Sequence, residues 1–316
     1  MNQKNTQKNV FIIFRSFILV LCFCWLTLAQ SSQNSSSTAE DFNKLGMTDL
    51  SAGKTNQSIE NFSRAIDLKS DYADAYENRC IAYRRLKDFQ AALKDCNQAV
   101  ALNPKSSFSL LLRGMIFFAV GDDQNAVRDF STAIFLADDY SDAYYFRAII
   151  YKDHKKFDLA ISDLTRIIDL NFKNLSPNFK KEEIFYQRGS SNFLLEKDDL
   201  ALRDVTEALK INPSLSEAIT LRGNIYLLKK QYNLAIKDLT AVIKLEPNAD
   251  FAYYRRGLAY GLKAQFNLAL ADFNRAIQIN PAVKDYYEAR AIIYRALGKY
   301  SLANSDERKS QILDIP

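Results

Sequence analysis

Seven arginines stand inside stretches whose other residues read as apolar helix: Arg79, Arg113, Arg147, Arg188, Arg222, Arg256 and Arg290. In YYRRGLAYGL, residues 253–262, Arg256 has tyrosines for neighbours and a glycine directly after it. Glycine inside a helix costs about 1 kcal/mol relative to alanine, so the pattern needs a reason. A guanidinium can clamp an anion through two parallel hydrogen bonds. The sequence supplies the anion itself, because sixteen residues beyond each arginine lies an aspartate: Asp95, Asp129, Asp163, Asp204, Asp238, Asp272 and Asp306. A carboxylate matched to every arginine points to internal ion pairs, which can roughly balance their desolvation while fixing helix register. A ladder of arginines gripping an external anion would have no use for those partners.

Other chemistry-bearing residues are few. His154 is the one histidine and is followed by Lys155 and Lys156. That charged corner lacks the carboxylate-held imidazole beside a nucleophile that a hydrolytic triad requires. No HExxH, paired CxxC or acidic calcium loop occurs, and the Arg-Gly pairs fall inside helices, not in phosphate-cradling loops. The expectation is a protein that is no enzyme and holds no cofactor or metal. Cys80 and Cys96 are the two cysteines beyond residue 29. Two readings stand for them: a bridge formed in an oxidising compartment, or two small core residues, since packed helices about 8–10 Å apart usually exceed disulfide reach.

The elements that position these residues emerge when the chain is laid against itself. Every arginine spacing is 34 residues except the 41 between Arg147 and Arg188. The residue after each arginine is small (Cys80, Gly114, Ala148, Gly189, Gly223, Gly257, Ala291), and an alanine lies thirteen beyond each, from Ala92 to Ala303. A bulky residue such as Tyr253, the small Gly257 and Tyr260 fall at i, i+4 and i+7, one face of a helix. Ala269 and Phe273 repeat that spacing in a second helix. Each period thus reads as two antiparallel helices joined by a short turn, with the small residue where the backbones approach most closely. A fixed period of this length marks stacked helical pairs.

The pattern resembles the tetratricopeptide repeat (TPR) family over nearly the whole chain beyond its N-terminal segment, down to the closing prolines Pro104, Pro213, Pro247 and Pro281. The resemblance implies an all-α fold, a right-handed superhelical solenoid of eight helix-turn-helix repeats opening at residues 39, 73, 107, 141, 182, 216, 250 and 284. The first repeat is degenerate, with Leu45 for arginine, Asn61 for aspartate and Ser58 for alanine. Seven extra residues, LSPNFKK at 175–181, separate repeats one to four (39–174) from repeats five to eight (182–316) and read as a loop that bends or loosens the stack. The last helix, from about Ser301 to Leu313, carries Glu307 and Ser310 and reads as a solvent-facing cap.

Bulk properties agree with a folded interaction protein. The 316 residues are 48% hydrophobic and 25% charged. The net charge of +5 falls to +2 over residues 30–316, where 39 basic side chains face 37 acidic ones, too even for a nucleic-acid track. Residues 1–29 read as an export signal: a polar, positive start (MNQKNTQKN), an apolar run from Phe17 to Leu28, and a cut after Ala29. The competing reading is a retained membrane anchor over residues 10–29, interrupted by Arg15. Either places the remainder outside the cytoplasm, periplasmic or secreted, behind the polar tether QSSQNSSST at 30–38.

By the TPR resemblance, the first helix of each repeat lines an inner surface that binds peptides. Here that face comprises Phe108, Leu111, Met115, Phe118, Tyr145, Ile149, Tyr186, Phe193, Leu227, Phe251, Tyr254 and Leu262. So apolar a face marks a partner site if exposed; the alternative is that several of these residues pack between helices. The lysine and asparagine pattern with which some TPR domains clamp a terminal carboxylate is absent, since repeats one and two offer Asn43, Met47, Glu77, Asn78 and Ile81. The implied function is an exported scaffold or adaptor that binds a protein or peptide segment, with a self-associating assembly factor of a cell-envelope complex as the alternative.

Overall fold

A computed structural model describes residues 37–314; the expected export segment, and all of the tether but its last two residues, lie outside the described residues. Among the described residues the structure is entirely helical. The helices are α1 (Ala39–Ser51), α2 (Thr55–Leu68), α3 (Ala73–Arg85), α4 (Phe89–Leu102), α5 (Ser107–Ala119), α6 (Asp123–Leu136), α7 (Ser141–Asp153) and α8 (Phe157–Asp169). They continue with α9 (Lys181–Leu194), α10 (Asp198–Ile211), α11 (Ser216–Leu228), α12 (Tyr232–Leu245), α13 (Asp250–Leu262), α14 (Phe266–Ile279), α15 (Lys284–Ala296) and α16 (Tyr300–Leu313). Odd-numbered helices are the first of each repeat and even-numbered helices the second. The chain divides into two compact units, one ending at Asp122 and one beginning at Asp123, so the third repeat contributes α5 to the first and α6 to the second.

Each hairpin turn contains one residue in the left-handed region: Gly53, Lys87, Gly121, Lys155, Glu196, Lys230, Ala264 and Gly298, with φ from 56 to 80°. Only three are glycine, so elsewhere the packing of the two helices holds an L residue where it is intrinsically disfavoured. Within the C-terminal unit adjacent first helices touch (α9 with α11, α11 with α13, α13 with α15). Each second helix stands between its own first helix and the next one, as α12 does between α11 and α13. The first helices α9, α11, α13 and α15 therefore form one continuous face of this unit.

The glycine after the arginine is explained by what lies opposite. A β-carbon at Gly257 would meet the Phe273 ring at 2.7 Å, and one at Gly46 the Phe62 ring at 2.5 Å. Both rings are almost wholly buried. In the hairpin of Ala148 the residue at Phe273's position is Leu164, and Gly223 faces Leu239 at a looser 3.2 Å. Small and large are thus matched across the hairpin, and ring burial offsets the lost helix propensity.

Cys80 and Cys96 form a disulfide, with Cα atoms 5.7 Å apart. The general helix spacing invoked against a bridge does not apply at this point, because cysteine occupies the close-approach position and the backbones come within disulfide reach. Both are fully buried beside Ala92 and Ile116.

The arginines and aspartates meet in six hairpins. Arg256 donates to Asp272 through Nε (2.8 Å) and Nη2 (2.7 Å). The same fork joins Arg79 to Asp95, Arg147 to Asp163, Arg188 to Asp204, Arg222 to Asp238 and Arg290 to Asp306, with closest distances of 2.6–2.7 Å. Arg113 and Asp129 belong to different units; Arg113 donates to Asn97 at 3.2 Å within its own. Three of the guanidiniums are also sandwiched by aromatic rings: Arg256 lies 5.7 Å from the centre of Tyr253 and 5.8 Å from Tyr260. Arg147 and Arg290 repeat this with Tyr144 and Tyr151, and with Tyr287 and Tyr294. In the degenerate first repeat, Leu45 is 48% exposed and Asn61 instead donates to Asp49 at 2.8 Å.

A third partner, not foreseen from the sequence, ties five of these six arginines backwards, Arg222 being the exception. Nη1 of Arg256 donates to Thr240 Oγ1 at 3.0 Å, on the second helix of the preceding hairpin. Ser63, Ser131, Thr165 and Asn274 serve Arg79, Arg147, Arg188 and Arg290 in the same way. One side chain thus joins three helices of two hairpins.

The 175–181 loop is anchored by hydrogen bonds, while α7 and α9 lack the close contact that joins the other adjacent first helices of the C-terminal unit from α9 onward. The segment between α8 and α9 is tied to α7, as Ser176 N donates to Asp142 at 2.7 Å and the Ser176 hydroxyl to the same carboxylate. Ser141 Oγ donates to the Lys173 carbonyl, and Lys173 pairs with Asp139 at 2.7 Å. Helix α9 begins at Lys181, one residue before the expected repeat start, and packs on α8 as an ordinary neighbour. The expected cap, α16, buries Ala303, Asp306 and Ser310, while Glu307 pairs outward with Arg295 at 2.7 Å. Its outer surface is less polar than foreseen, with Tyr300 61% and Ile312 61% exposed.

Two outcomes follow for urea unfolding. Gly257→Ala lowers stability by about 1 kcal/mol, because overpacking of about 1–3 kcal/mol exceeds the propensity gain, and adding Phe273→Leu restores most of it. Asp272→Ala, which strands Arg256, costs about 3 kcal/mol, well above the ~1 kcal/mol of Thr240→Val.

Candidate protein-binding face

The residues expected to line the inner face divide by burial. Phe108 and Phe251 are each 38% exposed and Leu262 62%. Met115, Phe118, Ile149, Tyr186, Phe193, Leu227 and Tyr254 are half-buried. Leu111 is buried at 3% exposure, so it belongs to the interior of the N-terminal unit and does not line a groove. Tyr186 and Leu227 pack against the core cluster around Leu239, and Tyr254 against that around Phe273. Aromatic first-helix residues therefore serve both packing and surface.

Tyr145 is covered from within the chain. Phe179 of the inserted loop sets its ring 4.4 Å from Tyr145 and 5.4 Å from Phe146. Burial, with Glu183 nearby, pushes the Tyr145 phenol up to about 12. The uncovered face of the C-terminal unit therefore centres on α9, α11 and α13. There a concavity of about 350 Å³ is lined by Tyr186, Ser190, Ser216, Glu217, Thr220, Leu221, Asn224, Glu246 and Phe251. Burial, then Glu217 and Glu183, raises the Tyr186 phenol above the usual range.

Polar bookkeeping singles out the same face. Among the described residues, three buried side-chain atoms are without a hydrogen-bond partner: Arg84 Nε, Thr220 Oγ1 and Asn224 Oδ1. An unsatisfied buried group costs about 1–3 kcal/mol. All three stand on first helices at positions assigned to the inner face: Thr220 where repeat five has Tyr186, Asn224 where repeat four has Ile149, and Arg84 where repeat three has Phe118. Burial pushes the Arg84 guanidinium down. The residue-type pattern of apolar side chains did not reveal these polar members; their repeat positions could have.

His154 Nε2 lies 2.8 Å from Asp123 Oδ2, both partly exposed. The two sit beside Tyr151 and Lys156 at the edge of the C-terminal unit, with no serine, threonine or cysteine among the residues lining that hollow. No group of three or more potential metal ligands occurs among the described residues.

Two-helix hairpins with paired small residues and recurring ion pairs define a helical-repeat protein. Tetratricopeptide repeat profiles match residues 73–106, 141–174, 216–249 and 251–283. Human tetratricopeptide repeat protein 6 is 30% identical over 46% of this chain and 26% of its own length. Tetratricopeptide repeat protein 36 of Xenopus tropicalis is 35% identical over 33% of this chain and 53% of its own. The chain thus spans about a quarter and about half of these relatives' lengths. Among solved structures, the C-terminal part of a TPR repeat-containing protein from Cytophaga hutchinsonii superposes with a TM-score of 0.61 at 16% identity, covering 78% of this chain and 98% of that one. YrrB, described as a TPR protein with an unusual peptide-binding site, does so with a TM-score of 0.54 at 19% identity, covering 67% and 97%. The chain carries tetratricopeptide repeats.

The raised phenol gives a pH dependence. Folded Tyr145 keeps its proton up to about 12, above the ordinary tyrosine value of 10.0, so its contribution to stability is complete below 10 and declines as pH rises through that window. Phe179→Ala exposes the ring, and ultraviolet titration then shows one additional tyrosine ionising near the ordinary value.

Proposed function

We propose that this protein is an exported scaffold or adaptor that holds a segment of another protein against its first-helix face. TPR proteins mediate protein–protein interaction, and the part of that face around α9, α11 and α13 carries the reading here. It combines half-exposed aromatic side chains with polar atoms that have no partner among the described residues. Apolar ridges around partner-seeking polar groups are the anatomy of a recognition surface. An extended or helical segment laid across them would bury Phe251 and Leu262 and satisfy the orphaned groups. Export rests on the composition of residues 1–29, and the Cys80–Cys96 bridge favours an oxidising compartment.

Titration of the full chain with fluorescein-labelled decapeptide pools tests the groove. Phe251→Ala together with Leu262→Ala is expected to weaken binding at least about tenfold with an unchanged helical circular dichroism spectrum. Unaltered affinity in that variant, or self-association of the wild type by light scattering without peptide binding, would replace the adaptor reading with the assembly one. For export, the intact mass of the protein recovered from its native host should begin at Gln30 if the signal is cut.

A further inference from the structure

We infer that the concavity between α9, α11 and α13 receives a cationic side chain, a lysine or arginine, of the bound segment. The inference rests on the groove reading above and adds the chemistry of its occupant.

The polar atoms that line the site set the demand. Glu217 and Glu246 can only accept hydrogen bonds, and among the described residues neither has an ion-pair partner. Beside them, Thr220 Oγ1 and Asn224 Oδ1 are buried and unpartnered. Four groups able to accept, two of them charged, require a ligand that brings several donors and positive charge. An ammonium or guanidinium meets both conditions. A phosphate or carboxylate would be repelled, and a neutral donor would leave the carboxylates unanswered. Tyr186 and Phe251, on the walls of the same concavity, supply aromatic faces of the kind cations favour.

The arginines of the surrounding helices are committed elsewhere. On the surrounding helices Arg188, Arg222 and Arg256 are committed to Asp204, Asp238 and Asp272. Lys229 pairs with Asp199, and Arg255 lies over the Tyr254 ring.

A purely structural account of the two acids covers only one of them. Glu217 lies in the first turn of α11, where the helix dipole favours an anion. Glu246 is the C-cap of α12, where the dipole opposes one. Its carboxylate stands against the local helix preference, next to the orphaned acceptors. The chain as a whole carries net charge +5, so this acidity is local and not a general character of the surface.

The test uses the full chain and four fluorescein-labelled decapeptide pools, random except for one fixed central residue: lysine, arginine, glutamine or glutamate. Anisotropy should show the lysine and arginine pools binding about tenfold more tightly than the glutamate pool, with glutamine between. Glu217→Gln combined with Glu246→Gln should remove most of that preference while keeping the binding that depends on Phe251 and Leu262. Equal affinity of all four pools for the wild type, with loss in the Phe251/Leu262 variant, overturns the cationic occupant and leaves the groove reading standing. A lysine preference that persists in the double glutamine variant also overturns it, by placing the cation elsewhere. Absence of binding by any pool overturns both.

Discussion

How closely two antiparallel helices approach, and how that approach is held, governs the rest of this structure. Where Gly257 faces Phe273, the first helix gives up a side chain so that a ring fits against its backbone. A contact of that kind has no direction along the helix axis and would tolerate sliding. The Arg256–Asp272 fork removes the freedom, since two parallel hydrogen bonds are satisfied at one register only. Because the carboxylate is nearly buried and the guanidinium is walled by Tyr253 and Tyr260, a displaced pair would leave charge without partner or solvent. The bond from the same guanidinium to Thr240 then carries the register to the preceding hairpin.

This arrangement allots charge by helix face. The structural arginines are consumed by the hairpin interior, and three lysines are tied to acids of a neighbouring repeat, Lys173 to Asp139, Lys197 to Asp158 and Lys229 to Asp199. Polar groups that find no partner are consequently informative. A second-helix hydroxyl such as Thr240 answers an arginine, whereas the first-helix hydroxyl Thr220 answers nothing among the described residues. With the stack already held by pairs on its other faces, the first-helix face can carry groups that only a partner satisfies.

The period, the small residues and the arginine–aspartate spacing were legible in the sequence because they recur at fixed offsets and obey rules of helix geometry. The serine, threonine and asparagine that take the third guanidinium nitrogen recur just as regularly: Ser63, Ser131, Thr240 and Asn274 precede their arginines by sixteen residues. They were missed because the residue type varies while only the hydrogen-bonding capacity is kept. In repeat six the rule lapses: Thr206 donates to the Leu202 carbonyl of its own helix, as Ser63 does to Ile59, but receives no bond from Arg222. The burial of Leu111 and the bridging of Cys80 with Cys96 depended on backbone distances that a periodic pattern does not fix. The inserted loop was beyond pattern reasoning for a different reason: it occurs once, so no second copy showed which of its residues had partners.

That loop also shows what a first helix can hold. Asp142, at the start of α7, accepts the backbone N–H of Ser176, and three residues further along both chains the Phe179 ring rests on Tyr145. A non-helical stretch is thus held by one carboxylate at the helix N-terminus, where the dipole supports it, and by one aromatic ring a turn later. Helix α9 presents the same two chemistries in the same order, Glu183 and then Tyr186, with no loop laid across it. In α11 the second place is taken by Thr220, its hydroxyl unpartnered, so the apolar rest that Tyr145 offers becomes a polar one. The change from tyrosine to threonine at one repeat position converts an aromatic seat into a site that asks for a hydrogen-bonding side chain, while the helices beneath it keep the same register.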